Sequence, residues 1–214
     1  MGDEVAYPVL FGTTQATWGP IDLRFELLRG EVDPDRIARV FVVPFIGPAC
    51  VVVGFEHGDW GPAGGGLEPG ESFRAALERE LAEEAGGRLL TYSPFAVLRC
   101  HSRAARRYRS HEPHADYDCL YGYGEVELVG PPHLLRDGTQ RTVAVMVMPP
   151  KQAVWFLADN GRAWEADLYR LAAECRAAAF SPSPGPISAG NADASGGDAR
   201  YRGGPKLCRC ERVR

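Results

Sequence analysis

The sequence predicts an α/β fold, a mixed β-sheet packed between helices, followed by a disordered C-terminal tail. Three observations carry that expectation. Short β-branched and apolar runs of strand length recur along the chain, among them Arg39 to Phe45 and Thr142 to Met148. Other segments, Ser72 to Ala85 and Glu165 to Ala179, repeat their apolar residues at the helical period. From Ser181 the chain reads Ser-Pro-Ser-Pro-Gly-Pro, then Gly, Asn, Asp and Ala, which cannot bury enough surface to offset the entropy of ordering.

Residues 1–35 form an N-terminal extension, expected to be partly ordered, with a strand from Ile21 to Leu28. The main domain spans 36–178 and the Pro/Gly-rich basic tail 179–214. Arg39 to Phe45 and Ala49 to Phe55, separated by Ile46-Gly47-Pro48, read as a hairpin. A glycine-rich turn, Gly64 to Gly70, leads into the helix Ser72–Ala85, and Gly86-Gly87 stop it. Leu89 to Leu98 and Cys119 to Val129 read as strands, with a long polar loop, 99–118, between them. After the strand Thr142 to Met148, Pro150-Lys151 opens a helix to about Ala158, broken by Asn160-Gly161. The last helix, Glu165 to Ala179, sets Ala166, Leu168, Tyr169, Leu171, Ala172 and Cys175 on its apolar side, to pack on the sheet.

With 214 residues, 45% of them hydrophobic, the chain is sized for one domain with a real core plus an appendage. Its formal charge of −4 is unevenly spread. The tail carries Arg200, Arg202, Lys206, Arg209, Arg212 and Arg214 against Asp193, Asp198 and Glu211, so the body is the acidic part. An acidic body argues against a stable nucleic-acid partner and suits a protein that recruits a cation before an anionic substrate. Met1 to Ala6 lacks the basic and apolar pattern of a signal peptide, and no apolar run reaches membrane-spanning length. Cys50, Cys100 and Cys119 sit in apolar surroundings and read as reduced core residues; Cys208 and Cys210 make only a weak metal or redox pattern. The expected compartment is the reducing cytoplasm.

The stretch Gly65 to Gly86, GGLEPGESFRAALERELAEEAG, is the richest in chemistry. At about 100° per residue, with Phe73 at zero, Leu77, Leu81 and Ala76 fall at about 40°, 80° and 300° and define one apolar stripe. Glu84 at about 20° and Glu80 at about 340° fall inside that stripe, with Glu83 beside them at about 280°. Arg74, Glu78 and Arg79 fall outside it, toward solvent. Glu80 and Glu84, like charges at i and i+4, repel, and burying such carboxylates is costly unless they stay neutral or meet a cation. A hard divalent ion such as magnesium takes oxygen ligands of this kind. The competing interpretation is a solvated acidic face.

The same residues carry a family resemblance. Gly65, Glu71, Arg79-Glu80-Leu81, Glu83-Glu84 and Gly86 stand at the spacing of the Nudix box, together with Gly64 and Glu68-Pro69-Gly70-Glu71. Two positions depart from it. Gly87 stands where the box closes on a bulky aliphatic residue, and the lead-in Trp60-Gly61-Pro62-Ala63-Gly64-Gly65 has its proline one place early. The resemblance implies an α/β/α sandwich over roughly residues 36 to 178. It also implies a Mg²⁺- or Mn²⁺-dependent hydrolase that cleaves the pyrophosphate linkage of a nucleoside diphosphate joined to another group.

By residue-for-residue match, Glu80, Glu83 and Glu84 would be metal ligands, with the backbone carbonyl of Gly65. Glu71 and Arg79 would form an ion pair holding the turn against the helix. Glu80 and Glu83 are the expected catalytic carboxylates, with Glu83 as base; Asp116, Asp118, Glu125 and Glu127 are the alternatives outside the box. Arg103, Arg106, Arg107 and Arg109 are candidates for binding the substrate's phosphates, and His101, His111 and His114 lie in the same loop. For Trp60, Tyr121 and Tyr123, burial in the core stands against stacking on a base. Ser102-Arg103-Ala104-Ala105 carries neither the proline of ADP-ribose enzymes nor the tyrosine of dinucleoside polyphosphate enzymes, so no subfamily is assigned. The expected partner is a small phosphoanhydride, and a homodimer is compatible with it. The alternative function is a catalytically silent nucleotide-binding or regulatory module; a third, an RNA-directed enzyme, would use the basic tail.

Overall fold

The computed structural model describes residues 5–107, 111–132 and 142–180. Of the tail assigned to 179–214, residues 179 and 180 end the last helix; the rest, its cysteine pair and Arg109 lie outside the described residues. In chain order the elements are α1 (Pro8–Gly12), β1 (Ile21–Leu27), a 3-10 turn (Pro34–Arg36), β2 (Ile37–Ile46), β3 (Ala49–Phe55), β4 (Trp60–Gly61) and β5 (Ala63–Gly66). They continue with α2 (Phe73–Ala85), β6 (Gly87–Leu89), β7 (Ser93–Ser102), β8 (Asp116–Leu128), β9 (Thr142–Met148), α3 (Pro150–Asp159) and α4 (Ala163–Phe180).

The strands form a mixed sheet. β1 pairs antiparallel with β7, β7 antiparallel with β8, and β8 parallel with β2. β2 and β3 meet as a hairpin only through Phe45–Cys50 and Ile46–Ala49. Beyond those pairs they part: β2 takes β5 from Arg39 to Val42, and β3 takes β4 on one side and β9 on the other. Glycine makes the divergence possible. A Cβ on Gly64, whose φ is +148°, would lie 2.2 Å from the carbonyl oxygen of Val40. The expected glycine turn is therefore in part an extended strand, which brings the residues leading into α2 alongside the middle of the sheet.

Helices cover both faces, giving the α/β/α layering. On one face Phe25, Phe45, Val52, Leu98 and Tyr121 pack with Leu10 of α1, Leu157 of α3 and Leu168 and Tyr169 of α4. The Tyr169 hydroxyl donates to the Val51 carbonyl at 2.8 Å, satisfying a buried polar group. On the other face Val40, Val42, Val51, Val53 and Leu120 meet Ala76, Leu77, Leu81 and Ala85 of α2.

The two-residue period missed the ends of β7 and β8. The sequence reading expected a strand from Leu89 to Leu98 and a loop across 99–118; β7 runs to Ser102 and β8 begins at Asp116. Arg99 and His101 face Asp118 and Asp116 across the ladder, and charges paired with one another read as loop in a hydrophobicity pattern. The N-terminal segment is also more structured than its sequence suggests. Asp167 of α4 accepts from the amides of Val9 at 3.1 Å and Leu10 at 3.3 Å, and the Tyr7 hydroxyl donates to Glu174.

Candidate active site

The strongest concentration of functional groups lies where α2 crosses β5. α2 starts cleanly because the Ser72 side chain accepts the Ala75 amide at 3.2 Å, and it ends because Gly86 adopts a left-handed φ of +62°. Its stripe is the one the wheel describes: Ala76, Leu77, Leu81 and Ala85 are buried, and Arg74 and Glu78 are exposed. Glu80, Glu83 and Glu84 are partly buried beside that stripe.

Glu84 turns toward β5 and accepts the Gly64 amide at 2.8 Å. Burial pushes its carboxyl up to about 8, with the charges of Glu80 and Glu83 adding to the effect and the Gly64 N–H opposing it. Glu80 lies against Gly65 so closely that a Cβ there would sit 2.3 Å from its Oε1. Burial raises the Glu80 carboxyl too, against the pull of Arg79. Glycine at 64 and 65 thus makes a cradle in which two carboxylates of one helix face meet backbone.

The helical wheel turns Arg79 toward solvent, but its side chain folds back into the cluster and is only 25% exposed. Its Nε and Nη2 grip Glu71 Oε1 and Oε2 at 3.0 and 2.9 Å, and Nη2 also donates to the Gly66 carbonyl at 3.0 Å. Nη1 lies 2.9 Å from Glu80 Oε1 and 3.3 Å from Glu83 Oε2. The hydrogen bonds from Arg79 hold the Glu71 carboxyl below the usual range, and Glu71 also closes the turn by accepting the Glu68 amide at 2.9 Å. Arg79 thus contacts both Glu71 in the turn and Gly66 at the end of β5.

Three carboxylates, Glu71, Glu80 and Glu83, contact one guanidinium, and Glu84 lies on the neighbouring Gly64 amide. All the donors are oxygens, the ligand type a hard divalent cation takes. Among the described residues, however, no three His, Cys, Asp or Glu side chains stand together as a ready ligand group. Arg79 draws Glu80 and Glu83 to itself, while Gly64 holds Glu84. Both departures from the box pattern have local explanations. A Cβ on Gly87 would come within 3.1 Å of Leu81 Cγ, so Leu81 fills that space, and Pro62 falls between β4 and β5, where no strand amide is needed.

The remaining candidates are scattered. Asp118, 2% exposed, is gripped by Arg36 and Arg99; Asp116 pairs with His101, Glu125 with Arg176 and Glu127 with Arg88. Arg103 pairs with Asp22 at 3.4 Å, and Arg106 and Arg107 are exposed. His114 is exposed, while His111 reaches the box turn through Nε2, 2.8 Å from the Leu67 carbonyl. Trp60 lies against Gly54, edge-on to Phe156 at 4.8 Å, and Tyr121 and Tyr123 are buried. Cys50, Cys100, Cys119 and Cys175 are buried free thiols. Two acids escaped the sequence reading. Glu112 is buried beside Arg39, and Glu165, its carboxyl raised by burial, pairs with Arg162 at the start of α4. Each is a single acid with no periodic signal, so only the fold reveals it.

Among the described residues no helix is long and apolar enough to cross a membrane. A family model described as NUDIX domain matches residues 36–172. A search of the curated proteins gives no match. Similar solved structures include a Bacillus subtilis pyrophosphohydrolase, RppH, at 14% identity and TM-score 0.46, covering 63% of this chain and 75% of that one. A MutT structure, from work on Aliivibrio salmonicida and Vibrio cholerae, is 22% identical with TM-score 0.41 and covers 65% of this chain and 97% of that one. A third, an ADP compounds hydrolase, is 18% identical with TM-score 0.40, covering 62% and 70%.

Proposed function

The chain belongs to the Nudix family, and on that premise we propose that it is an active hydrolase of a small phosphoanhydride, cleaving the pyrophosphate linkage of a nucleoside diphosphate joined to another group. The observation that carries this reading is the glycine cradle: Glu80 and Glu84, their carboxyls raised by burial, rest against Gly65 and Gly64, where a cation would favour their charged forms.

Glu80, Glu83, Glu84 and the Gly65 carbonyl would hold Mg²⁺ or Mn²⁺. When bound, such an ion neutralises charge developing on the phosphate oxygens and makes an attacking water more acidic. Glu83 accepts the proton of that water as its oxygen bonds to phosphorus and the anhydride P–O bond breaks. Glu71 keeps Arg79 directed into the turn, fixing β5 relative to α2. The arginines of the β7–β8 loop attract the substrate's phosphates.

A second reading, a silent nucleotide-binding module, draws on Arg79, whose Nη1 already serves Glu80 and Glu83. Product release from nucleoside triphosphates, NDP-sugars, ADP-ribose and dinucleoside polyphosphates, with magnesium or manganese, separates the two. Turnover lost in Glu84→Gln is the expected result. Nucleotide binding without turnover across the panel would favour the silent module.

A further inference from the structure

We propose that His111 and Glu112 are positioning residues that fasten the β7–β8 loop to the end of β5, setting Arg106 and Arg107 beside the anionic part of the substrate. This inference rests on the phosphoanhydride reading above, because it assigns the loop's arginines a ligand.

The loop is tied at both ends. On the β7 side the Arg103 amide donates to the Pro20 carbonyl at 2.9 Å, and Arg103 Nε stands 3.4 Å from Asp22. On the other side His111 Nε2 donates to the Leu67 carbonyl at 2.8 Å. Glu112 follows it into the protein, 8% exposed, with Oε1 3.9 Å from Nη2 of Arg39. Arg39 is the β2 partner of Gly66, and the Leu67 amide donates to the Ala38 carbonyl at 3.0 Å. His111 thus meets Leu67, just past the end of β5, and Glu112 meets Arg39, the β2 partner of the last β5 residue, Gly66. From the other side, Arg79 grips the Gly66 carbonyl at 3.0 Å. One short piece of backbone therefore joins the carboxylate cluster to the loop.

A carboxylate buried in a polar surface loop is costly, whereas the same acid facing outward costs little. Its burial 3.9 Å from Arg39, an ion-pair distance longer than a hydrogen bond, brings this end of the loop against β2. Arg107 is four residues before His111 and Arg106 one further, so where the clasp closes limits how far they stand from the box turn. Their attraction for an anion grows with its charge and falls with distance.

The test compares wild type, His111→Ala and His111→Gln, which keeps an N–H donor, as full chains with magnesium. KM and kcat are read on a triphosphate and a diphosphate substrate, and inorganic tripolyphosphate binding is measured calorimetrically. Hydrogen exchange of residues 66–67 and 103–107 is followed in parallel. The clasp predicts that His111→Ala raises KM about tenfold for the triphosphate and less for the diphosphate, with kcat within about threefold. Tripolyphosphate binding weakens in step, exchange quickens in both segments, and His111→Gln stays close to wild type. Unchanged exchange overturns the clasp; faster exchange with unchanged KM and tripolyphosphate affinity overturns its role in substrate binding. Absence of turnover in every protein would count against the hydrolase reading alone, since tripolyphosphate affinity still decides: weaker binding in His111→Ala supports the clasp, and equal or absent binding overturns it. Glu112→Gln, which keeps the shape of the buried side chain, is expected to repeat the alanine result.

Discussion

The backbone amide of Gly64 donates a 2.8 Å hydrogen bond to Oε2 of Glu84, joining the extended strand β5 to the last turn of α2. Burial sets the acid's chemistry, and one N–H only partly relieves it, so the Glu84 carboxyl titrates near 8. A cation among the carboxylates would favour the charged form.

Glu84→Gln keeps the shape and the contact with Gly64 but removes the charge. Hydrolysis is expected to fall at least 100-fold, while the metal-free protein melts no lower than wild type at pH 8.5. A variant that retained more than a tenth of wild-type kcat/KM would remove Glu84 from the reaction.

The stability of the metal-free protein should depend on pH through the same group. Glu84 titrates near 4.5 unfolded and near 8 folded, so between those values the folded chain holds more protons and stability falls as pH rises. Glu80, also raised by burial, acts in the same direction. Melting of the metal-free chain is expected to drop from pH 5.5 to 8, by an amount on the order of a few kcal/mol. Glu84→Gln should flatten that slope, and so should saturating magnesium. A slope unchanged by the substitution would assign it elsewhere.

Arg79→Ala leaves Glu71, Glu80 and Glu83 without their shared guanidinium and frees the Gly66 carbonyl. The expected loss is about 2–3 kcal/mol in denaturant unfolding without metal, because the surviving acids repel each other in a partly buried site. Magnesium should recover part of that loss. Arg79→Lys keeps the charge but not the two-pronged grip on Glu71, and its unfolding midpoint is expected between wild type and alanine.

Two adjacent glycines should fail in different ways. A methyl on Gly65 meets the movable end of Glu80, so Gly65→Ala is expected to cost activity, about tenfold or more, with little change in melting. A methyl on Gly64 meets the Val40 carbonyl and backbone of Phe41 at a φ suited to glycine, so Gly64→Ala should lower stability by about 2 kcal/mol or more. Equal melting temperatures for the two variants would contradict the close approach of β5 to β2.

The helices and the box were legible in the sequence for local reasons. The stripe of Ala76, Leu77 and Leu81, the Ser72 cap and the Gly86 stop are properties of residues within a few positions of one another, and so is the Glu71–Arg79 spacing. The departures arose where a partner is distant. Nothing near Gly64 announces that it will lie against Val40, nor does anything near Arg99 or Asp118 reveal that the two will pair and extend the strands.

The sequence by itself determined the α/β order, the helix that carries Glu80, Glu83 and Glu84, and the side of that helix they share. Helical period and end-capping act over a few residues and need no partner. Only the tertiary structure decided that Glu84 would meet the Gly64 amide, that Arg79 would fold back into the cluster, and that Glu112 would be buried beside Arg39. Burial and hydrogen-bond partnership are properties of pairs, and across 20 positions (Gly64 to Glu84) or more the pairing is set by how strands and helices pack.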